Sequence, residues 1–135
     1  MTPLELVLLY LAFRAKQFTC DYLLQTRDMA THKGAGLGEG AWRALAMHAG
    51  IHAAFTFMIV VLFAPALWWL GVVDFILHAA IDRTKSIMVA RHNWTPHDTR
   101  FWWAHGLDQE AHNLTHLLYI VAMVVMAGGL QASGT

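Results

Sequence analysis

Four apolar stretches, each near the length that crosses a bilayer and each carrying polar residues four apart, constrain this chain more than any other feature. They run from about Leu4 to Leu24, from Ala44 to Ala64, from Pro65 to about Ile81, and from Ala111 to Leu130. At a rise of about 1.5 Å per residue, roughly 20 apolar residues span a hydrocarbon core. Lipid offers no partner to a backbone amide, so such segments must be helices. Composition agrees: the 135 residues are 57% hydrophobic and 13% charged, against about 25% charged in a typical soluble domain. A soluble chain this short hides only about two-thirds of its surface. The expected fold is therefore all-α: a single domain over residues 1–135, a four-helix up-and-down transmembrane bundle with helices at about 3–27, 41–63, 65–90 and 98–129.

The basic residues give the bundle a direction. Arg27, Lys33 and Arg43 flank the first connection, and Arg83, Lys85, Arg91 and Arg100 flank the third. The second connection and both tails carry no Lys or Arg. The positive-inside rule then makes the first and third connections cytoplasmic and puts both termini outside. No Lys or Arg precedes the first apolar run, so a basic secretory n-region is lacking and the first helix is expected to be retained. Formal net charge is zero, so no nucleic-acid partner is expected from bulk charge. The lone Cys20 allows no intrachain disulfide. The glycine-rich stretch from Thr31 to Gly40 is a loop, but it lacks the Gly-Lys-Ser/Thr ending of a phosphate loop.

Nine histidines are unusual in so apolar a chain. Helix one carries Gln17, Asp21 and Gln25; helix two His48 and His52; helix three Asp74, His78 and Asp82, followed by Lys85; helix four Asp108, His112 and His116. Residues four apart share a helix face. In an antiparallel bundle these stripes fall in the cytoplasmic half, and the cost of charge in lipid turns them toward one another. A buried His/Asp/Gln cluster is expected there. His48, His52, His78, Asp82, Asp108 and His112 are candidate ligands for a divalent metal, zinc or iron. Asp21 is a candidate base. Gln17, Gln25, Asp74, Lys85, Gln109 and His116 are candidate supports around them, with Asp74 expected to orient His78. Lys85 and Arg14 are the expected cations. Three other readings fit the same stripes: a structural network that fixes helix packing in an accessory subunit, a proton relay, and a haem b held by paired histidines. No His-Glu-x-x-His motif is present. A homo-oligomer or a place in a larger membrane complex is compatible with a chain of this size.

The run from Lys16 to Thr26 resembles the opening of an uncharacterised family of small bacterial membrane proteins, domain of unknown function 3307. The resemblance continues through His48-Ala49-Gly50-Ile51-His52, through His78-Ala79-Ala80-Ile81-Asp82-Arg83-Thr84-Lys85, and through Asp108-Gln109-Glu110-Ala111-His112, in the same order along nearly the whole chain. It implies a multi-pass protein of the bacterial inner membrane with a polar site, and it implies no activity. The family often has histidine where this chain has Gln17.

Overall fold

A computed structural model describes residues 1–32 and 39–132. Helix α1 (Pro3–Phe18) opens on a capping box: the Thr2 hydroxyl accepts from the Glu5 amide and the Glu5 carboxylate accepts from the Thr2 amide, with Pro3 in the first turn. It does not continue regularly to residue 27. It passes into a single π-helical turn over Thr19–Leu23, closed by the Leu24 amide on the Thr19 carbonyl, and the short helix α2 (Arg27–His32) follows. Helix α3 spans Glu39–Phe63. A 3-10 turn at Pro65–Leu67 leads into α4 (Leu70–Arg91), and α5 spans Thr99–Ala132. All described elements are helical. The glycine-rich connection falls mostly on residues 33–38, outside the described residues, as does Lys33.

The third connection is built by backbone chemistry. Asn93 takes the left-handed conformation just past α4 (φ 52°), the Asn93 amide reaches the Ala90 carbonyl, and the Trp94 amide reaches Val89. This Schellman closure satisfies the last carbonyls of the helix. Before α5, the Thr95 amide and hydroxyl both donate to Asp98 Oδ2, at 2.7 and 2.9 Å, and hold that exposed carboxyl below its usual range.

The long helices pack in a ring in chain order, α1 on α3, α3 on α4, α4 on α5, and α5 back on α1. Successive contacts run in opposite directions along neighbouring helices: Thr56 meets Asp74 and His48 meets Asp82, His78 meets His112 and Lys85 meets Asp108, Lys16 meets His116 and Asp21 meets Gln109. The result is an up-and-down four-helix bundle with α2 added. Its interior has two zones. Toward the Pro65 turn lies an apolar core of Leu9, Phe13, Val60, Leu67, Leu70 and Met123 with their neighbours. Toward the first and third connections the interior is polar, and Arg83 stacks over Trp42 at 4.9 Å on that side.

Among the described residues, only α3, over Gly40–Phe63, is long and apolar enough by composition to cross a bilayer. Charges on the other helices lower their mean hydropathy, and the fold puts several of these charges inside: Lys16, Asp74, Asp82 and Asp108 are all buried.

Helices α3 and α4 approach closely at Gly71, where an added Cβ would stand 2.9 Å from the Phe57 Cβ and 3.3 Å from the Ala53 carbonyl. Small residues permit such approaches. Gly71→Ala should destabilise the fold by about 1–3 kcal/mol, the usual cost of overpacking. Gly50→Ala, where a Cβ meets nothing within 4 Å, should leave stability unchanged or slightly raised. Thermal unfolding of both variants under one set of conditions checks the pair; equal midpoints would contradict the close approach.

Candidate metal centre

Four helices deliver the site, each through residues four apart. From α3, His48, His52 and Thr56 point inward; from α4, Asp74, His78 and Asp82; from α5, Asp108, His112 and His116. From the first helix come Lys16 and Gln17, and then Asp21 from the π turn. A π turn inserts one residue into the helical count and re-aims the side chains that follow. Here it coincides with the carboxylate that meets two histidines.

Asp21 is the hinge of the cluster. Its Oδ2 accepts from the Gln17 amide at 2.7 Å and from Gln109 at 3.2 Å. Its Oδ1 faces His52 Nε2 at 3.1 Å and His48 Nε2 at 3.3 Å. His48 Nε2 also lies 3.4 Å from Asp82 Oδ2, which stands 3.8 Å from His78 Nε2. The rings of His52 and His78 stack with centroids 3.7 Å apart, and His78 and His112 approach to 4.1 Å. His112 Nδ1 is 2.7 Å from the Asp108 carbonyl. A carbonyl only accepts, so Nδ1 carries a proton and Nε2 is the nitrogen left for the cluster. That Nε2, both ring nitrogens of His78 and Nδ1 of His52 are buried with no hydrogen-bond partner.

Two sets can hold an ion. Asp21, His48, His52 and His78 each offer a ligand atom within 4.8 Å of one another, and so do His78, Asp82 and His112. Ligand atoms about 2.0–2.1 Å from a tetrahedral zinc stand about 3.3–3.4 Å apart. The separations of 3.1, 3.3 and 3.4 Å among Asp21, His48, His52 and Asp82 are of that size.

The structure rearranges several sequence expectations. Asp108 does not join either ligand set: its Oδ2 accepts from Lys85 Nζ at 3.0 Å, and the pair stands beside the cluster. Asp21 moves the other way, from candidate base to the centre of the ligand group. Asp74 does not orient His78. Its Oδ2 accepts from Lys16 at 2.8 Å and from the Thr56 hydroxyl at 2.8 Å, while Lys16 Nζ also donates to His116 Nε2 at 3.0 Å. The deep cation is therefore Lys16, whereas Arg14 lies on the outside of the bundle. Sequence reasoning missed Lys16 and Thr56, although Thr56 continues the His48, His52 spacing by one more turn. Gln25 and Lys85 line a cavity of about 510 Å³ that also reaches Asp21, Asp82 and Asp108. This cavity connects the cluster with the ends of α4 and α5 on the side of the first and third connections.

The Lys16–Asp74 pair is fully enclosed. Removing one member of a buried pair strands the other charge and costs about 3–5 kcal/mol. Lys16→Met should show a loss of that size in reversible unfolding, and Lys16→Met with Asp74→Leu should recover most of it. A single variant as stable as the parent would contradict the pairing.

The sequence profile of the family described as "Protein of unknown function (DUF3307)" matches residues 6–133. No curated protein and no solved structure matches the chain.

Proposed function

The chain belongs to the DUF3307 family, whose description carries no activity, and from the geometry of its site we propose that it is a membrane-embedded four-helix bundle that binds one divalent metal ion, zinc or iron. One observation carries the metal reading: buried imidazoles from α3, α4 and α5, several of whose nitrogens have no partner, gather with Asp21 and Asp82 in two groups whose ligand atoms lie within 4.8 Å of one another. A well-packed structural network satisfies its polar atoms; this one leaves several imidazole nitrogens buried without a partner. Charge supports a single ion. Lys16 meets Asp74 and Lys85 meets Asp108, and one dication matches the two carboxylates, Asp21 and Asp82, that face the imidazoles. His48, His52, His78 and Asp21 would hold it, with Asp82 and His112 completing or exchanging ligation.

The outer support has the form that metal ligands need. Gln17 and Gln109 fix Asp21 through its second oxygen, and the Asp108 carbonyl fixes the His112 tautomer. When bound, a metal in such a His/carboxylate set supplies Lewis acidity or activates water. The cavity gives a substrate or water access to Asp21 and Asp82 from one side, and Asp108 with Lys85 stands there to accept or donate a proton. The haem b reading has less support, because imidazole rings 3.7–5.1 Å apart among His48, His52 and His78 leave no slot for a flat macrocycle between axial ligands.

The inside-out distribution of polarity supports the membrane reading. Leu62 is 80% exposed and Leu107 68%, while His48 and His52 are 0% exposed. Large apolar side chains coat α1, α3, α4 and α5, a surface a water-soluble monomer rarely shows. The apolar core near the Pro65 turn closes the far end of the polar zone, which favours a site reached from one side over a path through the membrane. With the basic residues on the open side, that side is the cytoplasm of an inner-membrane protein whose termini lie outside.

Protein purified in mild detergent without chelator should contain close to one equivalent of zinc or iron by elemental analysis, and His48→Ala with His52→Ala should lose it. Absence of metal from the parent, or equal metal in the double variant, would overturn the proposal. For topology, a reporter active only outside the cytoplasm should work at either terminus, and a reporter active only inside should work at neither. The reverse pattern would overturn the orientation.

A further inference from the structure

Large apolar side chains cover much of the exterior of the described bundle, and the seam between α1 and α5 carries charge. Arg14 lies on the outer face of α1, eleven residues after Pro3 and nine before the end of the π turn, about 16 and 14 Å from the two ends of that helical run. It donates to the Asn113 side-chain carbonyl, and the Asn113 amide donates to Glu110 at 3.3 Å. Arg14 and Glu110 are both exposed. A groove of about 450 Å³ runs beside them between α1 and α5, with Tyr10, Leu114 and Leu117 on its walls.

Taken with the membrane reading, on which this rests, the seam presents two opposite charges to lipid near the middle of a span, where exposed charge is most costly. We infer that a second copy of this chain covers the α1–α5 seam, in a homodimer whose twofold axis runs along the bundle. Asn113 ties the heads of Arg14 and Glu110 together on this face. A twofold rotation parallel to the helices therefore brings each Arg14 to the second copy's Glu110 and each Glu110 to its Arg14, closing two ion pairs with one operation. The exposed leucines of α5 and Tyr10 pack around them. A lipid phosphate would answer Arg14 alone and leave Glu110 facing hydrocarbon, so the charge pattern favours the second copy. The contact leaves the cavity at the metal centre open, because that cavity lies among the π turn, α4 and α5 near their charged ends.

The test is crosslinking of the full chain in native membranes. Leu117→Cys, introduced with Cys20→Ala to remove the native thiol, should give a disulfide-linked dimer on oxidation. In that background Arg14→Glu alone and Glu110→Arg alone should each lower the crosslinked fraction about tenfold, and the two together should restore it. Metal content and resistance to an alkaline wash should stay unchanged throughout. A wash-resistant monomer, single variants that crosslink like the parent, or a double variant no better than the singles would overturn the dimer and leave the membrane reading intact. Release of the chain by the wash would overturn the membrane reading itself.

Discussion

Each long helix of this chain carries its buried ionisable side chains on one stripe, and in the bundle those stripes have only one another to meet. A buried charge survives only when another buried group answers it. Lys16 is answered by Asp74 and His116, Asp74 also by Thr56, and Asp108 by Lys85. These contacts link α1 to α4, α1 to α5, α3 to α4 and α4 to α5. They set which residue stands level with which, and the apolar exterior supplies no competing register. The positions of the histidines follow from them: with Lys16 locked to Asp74, the next turn of α4 presents His78 and the next turn of α3 toward the connections presents His52, and those two rings stack.

The polar interior is not uniform. The deeper layer is closed by direct ion pairing, and its cation belongs to the protein. The layer nearer the first and third connections has carboxylates and imidazoles but draws no lysine into its centre, since Lys85 is held by Asp108 at the cavity. That contrast explains why unpartnered nitrogens gather around His78. An ion placed there does for the upper layer what the Lys16 ammonium does for the lower one.

The four stripes, and hence the bundle and most of the site, were legible in the sequence because a spacing of four residues survives any detail of helix packing. The inward turn of His48, His52, His78, Asp82 and His112 follows from that spacing and the cost of exposing polar groups to an apolar environment. Finer placement was not legible. Arg14 and Lys16 are two residues apart and so lie on opposite faces, and only the rotation of α1 decides which is enclosed. Asp74 sits four residues from His78, which suggested a partner on its own helix, but the closer answer came from α1. Asp108 looked like a ligand by its stripe, yet it lies within reach of Lys85, whose long stem crosses from α4. The π turn at Thr19–Leu23 carries no propensity signal; it is visible only once Asp21 is seen between His48 and His52.

The proposed centre would hold one metal ion through imidazoles of α3 and α4 and the Asp21 carboxylate. X-ray absorption of the purified protein, loaded with zinc and held in lipid, measures the first coordination shell without reference to any variant. Nitrogen and oxygen scatterers at about 2.0–2.1 Å are expected, together with the outer-shell pattern of two or three imidazole rings. A spectrum with oxygen scatterers alone, as for an ion bound loosely by carboxylates and water, would contradict it.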